Sequence, residues 1–241
     1  RPPRSTLDRS SAASDVYKRQ GQVCLCGSRI LISHKIWDEF VEKFVNHIKS
    51  MKVGDPSSDD SDLGALVSFS HRDKVESYIH LAQREGGEIL CGGKIPNLDS
   101  PFDKGAFLEP TVVSNLDYQS RTSNEEIFGP VLSVVRTNNY AEAAKLVNEH
   151  EFGNGAAIFT QDGDVAREFS NQVKIGMVGV NVPIPVPLAF HSFGGWKRSM
   201  FGDHHMHGAE GVRFYTRYKV VTSRWPTGIR AGADFVMPTM T

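Results

Sequence analysis

Gly21-Gln22-Val23-Cys24-Leu25-Cys26-Gly27-Ser28-Arg29, running straight into Ile30-Leu31-Ile32-Ser33, is the stretch that decides how this chain is read. A thiol follows a short Gly-Gln turn and precedes a run of strand character from Ser28 to Ser33. Glycine lets the backbone bend sharply and brings main-chain N–H groups near the sulfur. A thiolate held that way can attack an electrophilic carbon, and the N–H groups can receive the oxygen that becomes negative. The bland alternative is a buried structural cysteine, the ordinary reading when no such context surrounds it. In a strand Cys26 would share a face with Cys24, but Cys-x-Cys is a poor disulfide and a weak metal signal. Cys26 and Cys91 are therefore read as structural.

Beyond this segment, strands and helices alternate. Apolar residues at Trp37, Phe40, Val41, Phe44, Val45 and Ile48 form one stripe of an amphipathic helix that stops at Gly54-Asp55-Pro56. Ser70-His71-Arg72-Asp73 reads as a capping-box start. The helix it opens carries Val75, Tyr78, Ile79 and Ala82 on one face and ends at Gly86-Gly87. Strands are expected at Glu88–Cys91, Thr111–Val113, Val131–Arg136, Gly155–Thr160 and Met177–Asn181, with helices from Asn139 to His150 and Asp164 to Val173. Such alternation favours a mostly parallel sheet covered on both faces. Val212–Thr222 reads as one long terminal strand, which would need a partner to pair with.

Composition limits the functions available. The chain has 241 residues with 27 basic and 28 acidic side chains, so it carries no general footprint for nucleic acid or an acidic membrane surface. No apolar run approaches the ~20 residues of a membrane helix. Three cysteines make no disulfide framework, and a reducing intracellular setting is expected. Residues 1–20 are rich in Arg and Ser, lack an apolar period and read as a non-native or disordered leader; 227–241 read as a flexible tail. His204, His205 and His207 cluster, but without convincing ligand spacing, so a polar loop rather than a metal site is expected.

Four motifs carry a family resemblance. Gly-Gln-x-Cys with Gly-Ser-Arg around Cys24, Glu125-Glu126-Ile127-Phe128-Gly129-Pro130-Val131, Phe193-Gly194-Gly195-Trp196-Lys197, and Gly105-Ala106-Phe107-Leu108-Glu109-Pro110-Thr111 resemble, in order, motifs of the aldehyde dehydrogenases. The resemblance runs from Gly21 to about Pro226. It implies an α/β catalytic domain over 21–207, its mostly parallel sheet flanked by helices. It also implies a β-strand arm over 208–226 that joins a homo-oligomer through 212–222, with the Rossmann-like cofactor domain largely absent.

The resemblance also implies roles. Cys24 would be the nucleophile, forming a thiohemiacetal with a small-molecule aldehyde and then, after hydride transfer to NAD(P), a thioester released by water or coenzyme A. Glu126 would hold the nicotinamide ribose, Phe128 would pack beside the ring, and Lys74 would lie near the adenosine ribose. Val23, Asn181 and Phe193 would line the substrate pocket. The family's water-activating glutamate and its oxyanion asparagine are not found in this chain, so the polypeptide alone is expected not to oxidise aldehydes.

Two branches of the family are echoed. Phe152-Gly153-Asn154-Gly155, Gly179–Pro187, Gly211–Thr216 and Arg224-Trp225-Pro226 resemble the coenzyme A-dependent methylmalonate-semialdehyde branch. Val23–Arg29 and Leu90–Gly93 are closer to the muconic-semialdehyde branch. In the former an arginine precedes the nucleophile and can pair with the substrate carboxylate; here Val23 stands there and cannot. The location implied is the cytoplasm, or the mitochondrial matrix in a eukaryote. Two other classes remain open: a non-catalytic oligomerisation fragment, and a cysteine hydrolase pairing Cys24 with a histidine such as His191.

Overall fold

The structure, a computed structural model, describes residues 20–223. The expectations for residues 1–19, for Arg224-Trp225-Pro226 and for the tail lie outside the described residues.

Four strands build the main sheet: β1 (Arg29–Ser33), β2 (Glu88–Cys91), β3 (Thr111–Ser114) and β4 (Val131–Thr137), in the order β1-β4-β3-β2. β4 runs parallel to both β1 and β3, while β2 closes the edge antiparallel, with an irregularity between Ile89 and Cys91. Helix α1 (Trp37–Lys49) lies on one face and α2 (Phe69–Arg84) on the other. Alternation along the strands sends neighbours to opposite faces. Val112 and Leu132 pack with Phe44, Val45 and Ile48 of α1, whereas Val113 and Val131 pack with Val75, Ile79 and Ala82 of α2. The apolar stripe read from Trp37 to Ile48 is this buried seam. Full burial of a side chain such as Phe44 stabilises by about 1.5–3 kcal/mol.

A short helix α3 (Arg121–Asn124) precedes β4, and α4 (Tyr140–Glu149) follows it. Asn139 caps α4 by accepting from the Glu142 amide at 2.9 Å, as its position predicts. A two-stranded antiparallel ribbon pairs β5 (Phe152–Gly153) with β8 (Trp196–Lys197), and a parallel pair joins β6 (Gly155–Ile158) to β7 (Met177–Val180). Helix α5 (Gly163–Gln172) supplies Phe169 to a third apolar cluster beneath β6 and β7. This is the expected α/β architecture with a mostly parallel, helix-flanked sheet. No helix among the described residues is long and apolar enough to cross a membrane.

Two expectations need correction. Helix α2 starts at Phe69, because Ser68, in an extended conformation, takes the cap by accepting from the His71 amide at 3.2 Å; Ser70 is already inside. Ahead of β1, Cys24 and Leu25 form a turn in which Cys26 N–H donates to Val23 O at 2.9 Å. The long strand expected over 212–222 is not formed: α6 spans Gly208–Tyr215, and Thr216–Ser223 has no regular structure. Glu210 and Arg213 pair one turn apart and the Thr216 hydroxyl donates back to Val212 O, both helical contacts. The β-branched and aromatic residues Tyr218, Val220 and Val221 stand exposed, with no neighbouring strand among the described residues to pair with.

Candidate active site

The loop leading into β1 is held from several directions. Gly21 has φ +69 and lies against Gly129; a Cβ here would fall 2.1 Å from the Gly129 carbonyl oxygen, so only glycine fits. The Gln22 side chain accepts from the Val67 amide at 3.1 Å, tying the loop to the approach of α2. Val23, half-buried, opens the turn, and Cys24 at its corner is exposed. The Cys24 carbonyl accepts from Asn154 Nδ2 at 2.9 Å. Asn154 sits between β5 and β6, and its Cα is also approached by Gly195, where an added Cβ would come within 3.0 Å. Two segments singled out in the sequence therefore hold the Cys24 loop, the Glu125–Val131 box through Gly21 and the Phe-Gly-Asn-Gly turn through Asn154, while the Phe193–Lys197 loop packs against Asn154 through Gly195.

Within the first of these the two glutamates differ. Glu125 takes a two-point contact from Arg121, at 2.8 and 3.1 Å, and accepts from the Tyr78 hydroxyl at 2.6 Å. The Arg121 guanidinium, and next the Tyr78 hydrogen bond, hold its carboxyl down to about 2. Glu126, in contrast, is exposed. Lys74 is exposed on α2, its ammonium 5.9 Å from the centre of the Tyr78 ring and close enough to Glu125 to favour its charge. Phe128 is half-buried with φ +63, a left-handed conformation costly for a bulky residue. Its carbonyl is engaged by His71 Nε2 at 2.7 Å, and the two rings meet edge to face at 6.3 Å. Strain of this kind, of order 1–3 kcal/mol, persists where the surroundings enforce it and concentrates at functional sites.

Other motif residues are structural. Arg29 donates to Ser123 O and meets His150 Nε2; burial lowers its pKa. His150 is buried, and burial followed by the Arg29 charge pushes its pKa down. Lys197 donates to the carbonyls of Val147, Asn148 and His150 at 3.3, 3.0 and 2.9 Å, filling the C-terminal end of α4 where a cation is favoured.

The remaining pocket candidates have local partners of their own. Asn181 closes a ring with Thr160, accepting from its amide and donating to its carbonyl, both at 2.9 Å. Phe193 bridges Met206 through the backbone and its ring lies 5.5 Å from His207. His191 is exposed with its ring 4.5 Å from that of Phe190, His205 contacts the Ser192 hydroxyl and His204 pairs with Glu210. Among the described residues, none of these side chains hydrogen-bonds to Cys24.

His71 and Asn154 went unassigned in the sequence. The first reads as part of a helix start and the second as a turn residue; their partners lie 57 and 130 positions away. An asparagine between two glycines in Phe-Gly-Asn-Gly was the available signal.

The aldehyde dehydrogenase family model matches residues 7–221. The malonate-semialdehyde dehydrogenase of Pseudomonas aeruginosa is 41% identical over 242 residues, spanning 99% of this chain and 48% of that protein. The solved methylmalonate-semialdehyde dehydrogenase of Oceanimonas doudoroffii superposes with a TM-score of 0.82 at 39% identity, over 92% of this chain and 45% of that one. The betaine aldehyde dehydrogenase of Staphylococcus aureus, solved in complex with NAD+, gives 0.80 at 36% identity, over 87% and 40%. The chain thus spans about half the length of the relatives it matches. An exposed thiol on a turn held by Gly129 and by Asn154, together with this family match, leads to one conclusion: the chain belongs to the aldehyde dehydrogenase family.

Proposed function

We propose that this chain carries the nucleophile-bearing part of an NAD(P)-dependent semialdehyde dehydrogenase. The observation that carries the proposal is the exposed Cys24 on a turn fixed by Gly21 against Gly129 and by Asn154 on its own carbonyl. The Cys24 thiolate would add to the aldehyde carbon, forming a C–S bond and placing the developing charge on oxygen beside the main-chain amides of the turn. Sulfur suits the role because it is nucleophilic near neutral pH and leaves readily when the acyl group departs. That departure would be to water or to coenzyme A.

Bound NAD(P)+ would supply the hydride acceptor that converts the thiohemiacetal on Cys24 into a thioester. The residues present fit such a group: Glu126 offers an exposed carboxylate to ribose hydroxyls, beside the half-buried ring of Phe128. Tyr78, through Glu125, and His71, through the Phe128 carbonyl, fix that segment from α2, so Glu126 and Phe128 are presented by a loop with little freedom. Lys74 borders the same surface. The names of the malonate- and methylmalonate-semialdehyde relatives support a substrate that carries a carboxylate as well as the aldehyde. Val23 brings no charge to meet it. We also infer that turnover belongs to a polypeptide of the relatives' length, assembled as a homo-oligomer, and not to this chain alone.

The test is a hybrid. Residues 20–223 replace the matching segment of the P. aeruginosa relative, and NADH formation is followed with malonate semialdehyde. Turnover that Cys24→Ala abolishes supports the proposal; turnover that survives Cys24→Ala overturns it.

A further inference from the structure

We propose that Cys26 is a resolving thiol for Cys24: when a hydroperoxide oxidises Cys24, Cys26 closes a reversible Cys24–Cys26 disulfide. The inference rests on Cys24 being a reactive nucleophile. The geometry comes from the turn. In a strand, residues two apart are about 6.6–6.8 Å from Cα to Cα, at the upper edge of what a disulfide spans. Cys24 instead sits in the turn closed by Cys26 N–H on Val23 O. Two virtual bonds of about 3.8 Å bent in a turn bring the Cα atoms to roughly 5–6 Å, inside the disulfide range. The turn is also fixed, by Gln22 on Val67 and Asn154 on the Cys24 carbonyl, so the backbone at both cysteines is held close.

Exposure assigns the roles. Cys24 is exposed and meets a peroxide first, whereas Cys26 is half-buried. Cys91 is buried at the edge strand among Ile32, Phe44 and Val112, and burial raises its pKa, which suits neither role. The chemistry balances. The Cys24 thiolate cleaves the O–O bond and becomes a sulfenic acid, releasing the first water after protonation. The Cys26 thiolate then attacks the Cys24 sulfur; the S–S bond forms as the S–O bond breaks, and hydroxide leaves as the second water. Two thiols lose two electrons and two protons, and one hydrogen peroxide is reduced to two waters. A ring this small is strained, which makes the bond easily reduced again. The nucleophile would be blocked during oxidative exposure yet recoverable, instead of proceeding to irreversible sulfinic acid.

Trypsin isolates residues 20–29, which hold both cysteines and exclude Cys91. The purified chain is treated with hydrogen peroxide, alkylated and digested. The expected peptide is lighter than the reduced form by about 2 Da and returns to two alkylatable thiols with dithiothreitol. In Cys26→Ser the peptide instead gains about 32 Da, which dithiothreitol does not reverse. A parallel alkylation of untreated protein separates the two layers of inference. If Cys24 alkylates no faster than Cys26 and Cys91, the nucleophile assignment fails and this proposal fails with it. If Cys24 alkylates fastest but oxidises to sulfinic acid at the same rate with or without Cys26, only the resolving role is overturned.

Discussion

Asn154 Nδ2 donates to the Cys24 carbonyl at 2.9 Å, joining two residues 130 positions apart. This bond fixes the outer side of the Cys24 turn to the β5–β6 junction, whose own position is set by Met177 N–H on the Asn154 carbonyl. The turn is thereby registered against the second, smaller sheet. Asn154→Ala removes the donor and leaves the rest of that junction intact. Stability is expected to fall by about 1 kcal/mol, the usual worth of one such bond. Hydrogen exchange over residues 22–27 should quicken while β3 and β4 stay protected; unchanged exchange in the loop would show that the bond does not hold it.

The opposite flank depends on backbone shape. Gly21→Ala places a methyl group on the Gly129 carbonyl and demands φ near +69 of a residue that avoids it. The conformational part alone costs of order 1–3 kcal/mol. The loop is expected to lift from the Glu125–Val131 box, and the alkylation rate of Cys24 to change with it. A thermal midpoint and alkylation rate matching wild type would mean the two glycines do not touch.

Glu125 gives the fold an acid dependence whose sign can be worked out. Its carboxyl is held at about 2 by Arg121 and Tyr78, below the ordinary 4.5. Its charged form therefore favours the folded state fully above about pH 4.5, and that contribution is lost as pH falls toward 2. The side chain is 38% exposed, so solvent trims the effect. Glu125→Gln should lower the thermal midpoint at pH 7 and converge on wild type near pH 2. Parallel curves at all pH values would rule the linkage out.

Lys197 illustrates what a motif conceals. From the sequence it is one letter of a glycine-rich loop; in the fold its ammonium answers three carbonyls at the end of α4. Lys197→Met keeps the length of the stem and leaves those acceptors without their donor, at a cost of about 1–3 kcal/mol. Denaturant unfolding measures this directly, and a loss below the error of that measurement would place the helix end under other control.

Local patterns in the sequence reported most of the elements. The stripe from Trp37 to Ile48, the alternation through Val112-Val113 and Val131-Leu132, and the Asn139 cap each depend on neighbours a few positions apart. Val212–Thr222 misled because β-branched and aromatic residues suit a strand only where another strand lies alongside; the Glu210–Arg213 pair and the Val212–Thr216 bond favour a helix over its first part. At the candidate site, the turn bearing Cys24 could be read because its glycines and its motif are contiguous. His71 on Phe128 and Asn154 on Cys24 could not, because their partners lie 57 and 130 positions away and meet only once the chain is folded.

Val23 offers the sharpest test of substrate class. It stands beside Cys24, half-buried and uncharged. In the hybrid enzyme, Val23→Arg should raise kcat/KM for malonate semialdehyde relative to propanal, because a guanidinium pairs with a carboxylate at two points and gains nothing from a methyl group. A single well-formed charged hydrogen bond of about 1.5–3 kcal/mol corresponds to a change in that ratio of roughly 10- to 150-fold. The rise should appear in KM and fade with added salt. If the ratio stays flat while propanal turnover is unharmed, the carboxylate is bound away from Val23, and a semialdehyde preference would have to come from another part of the pocket.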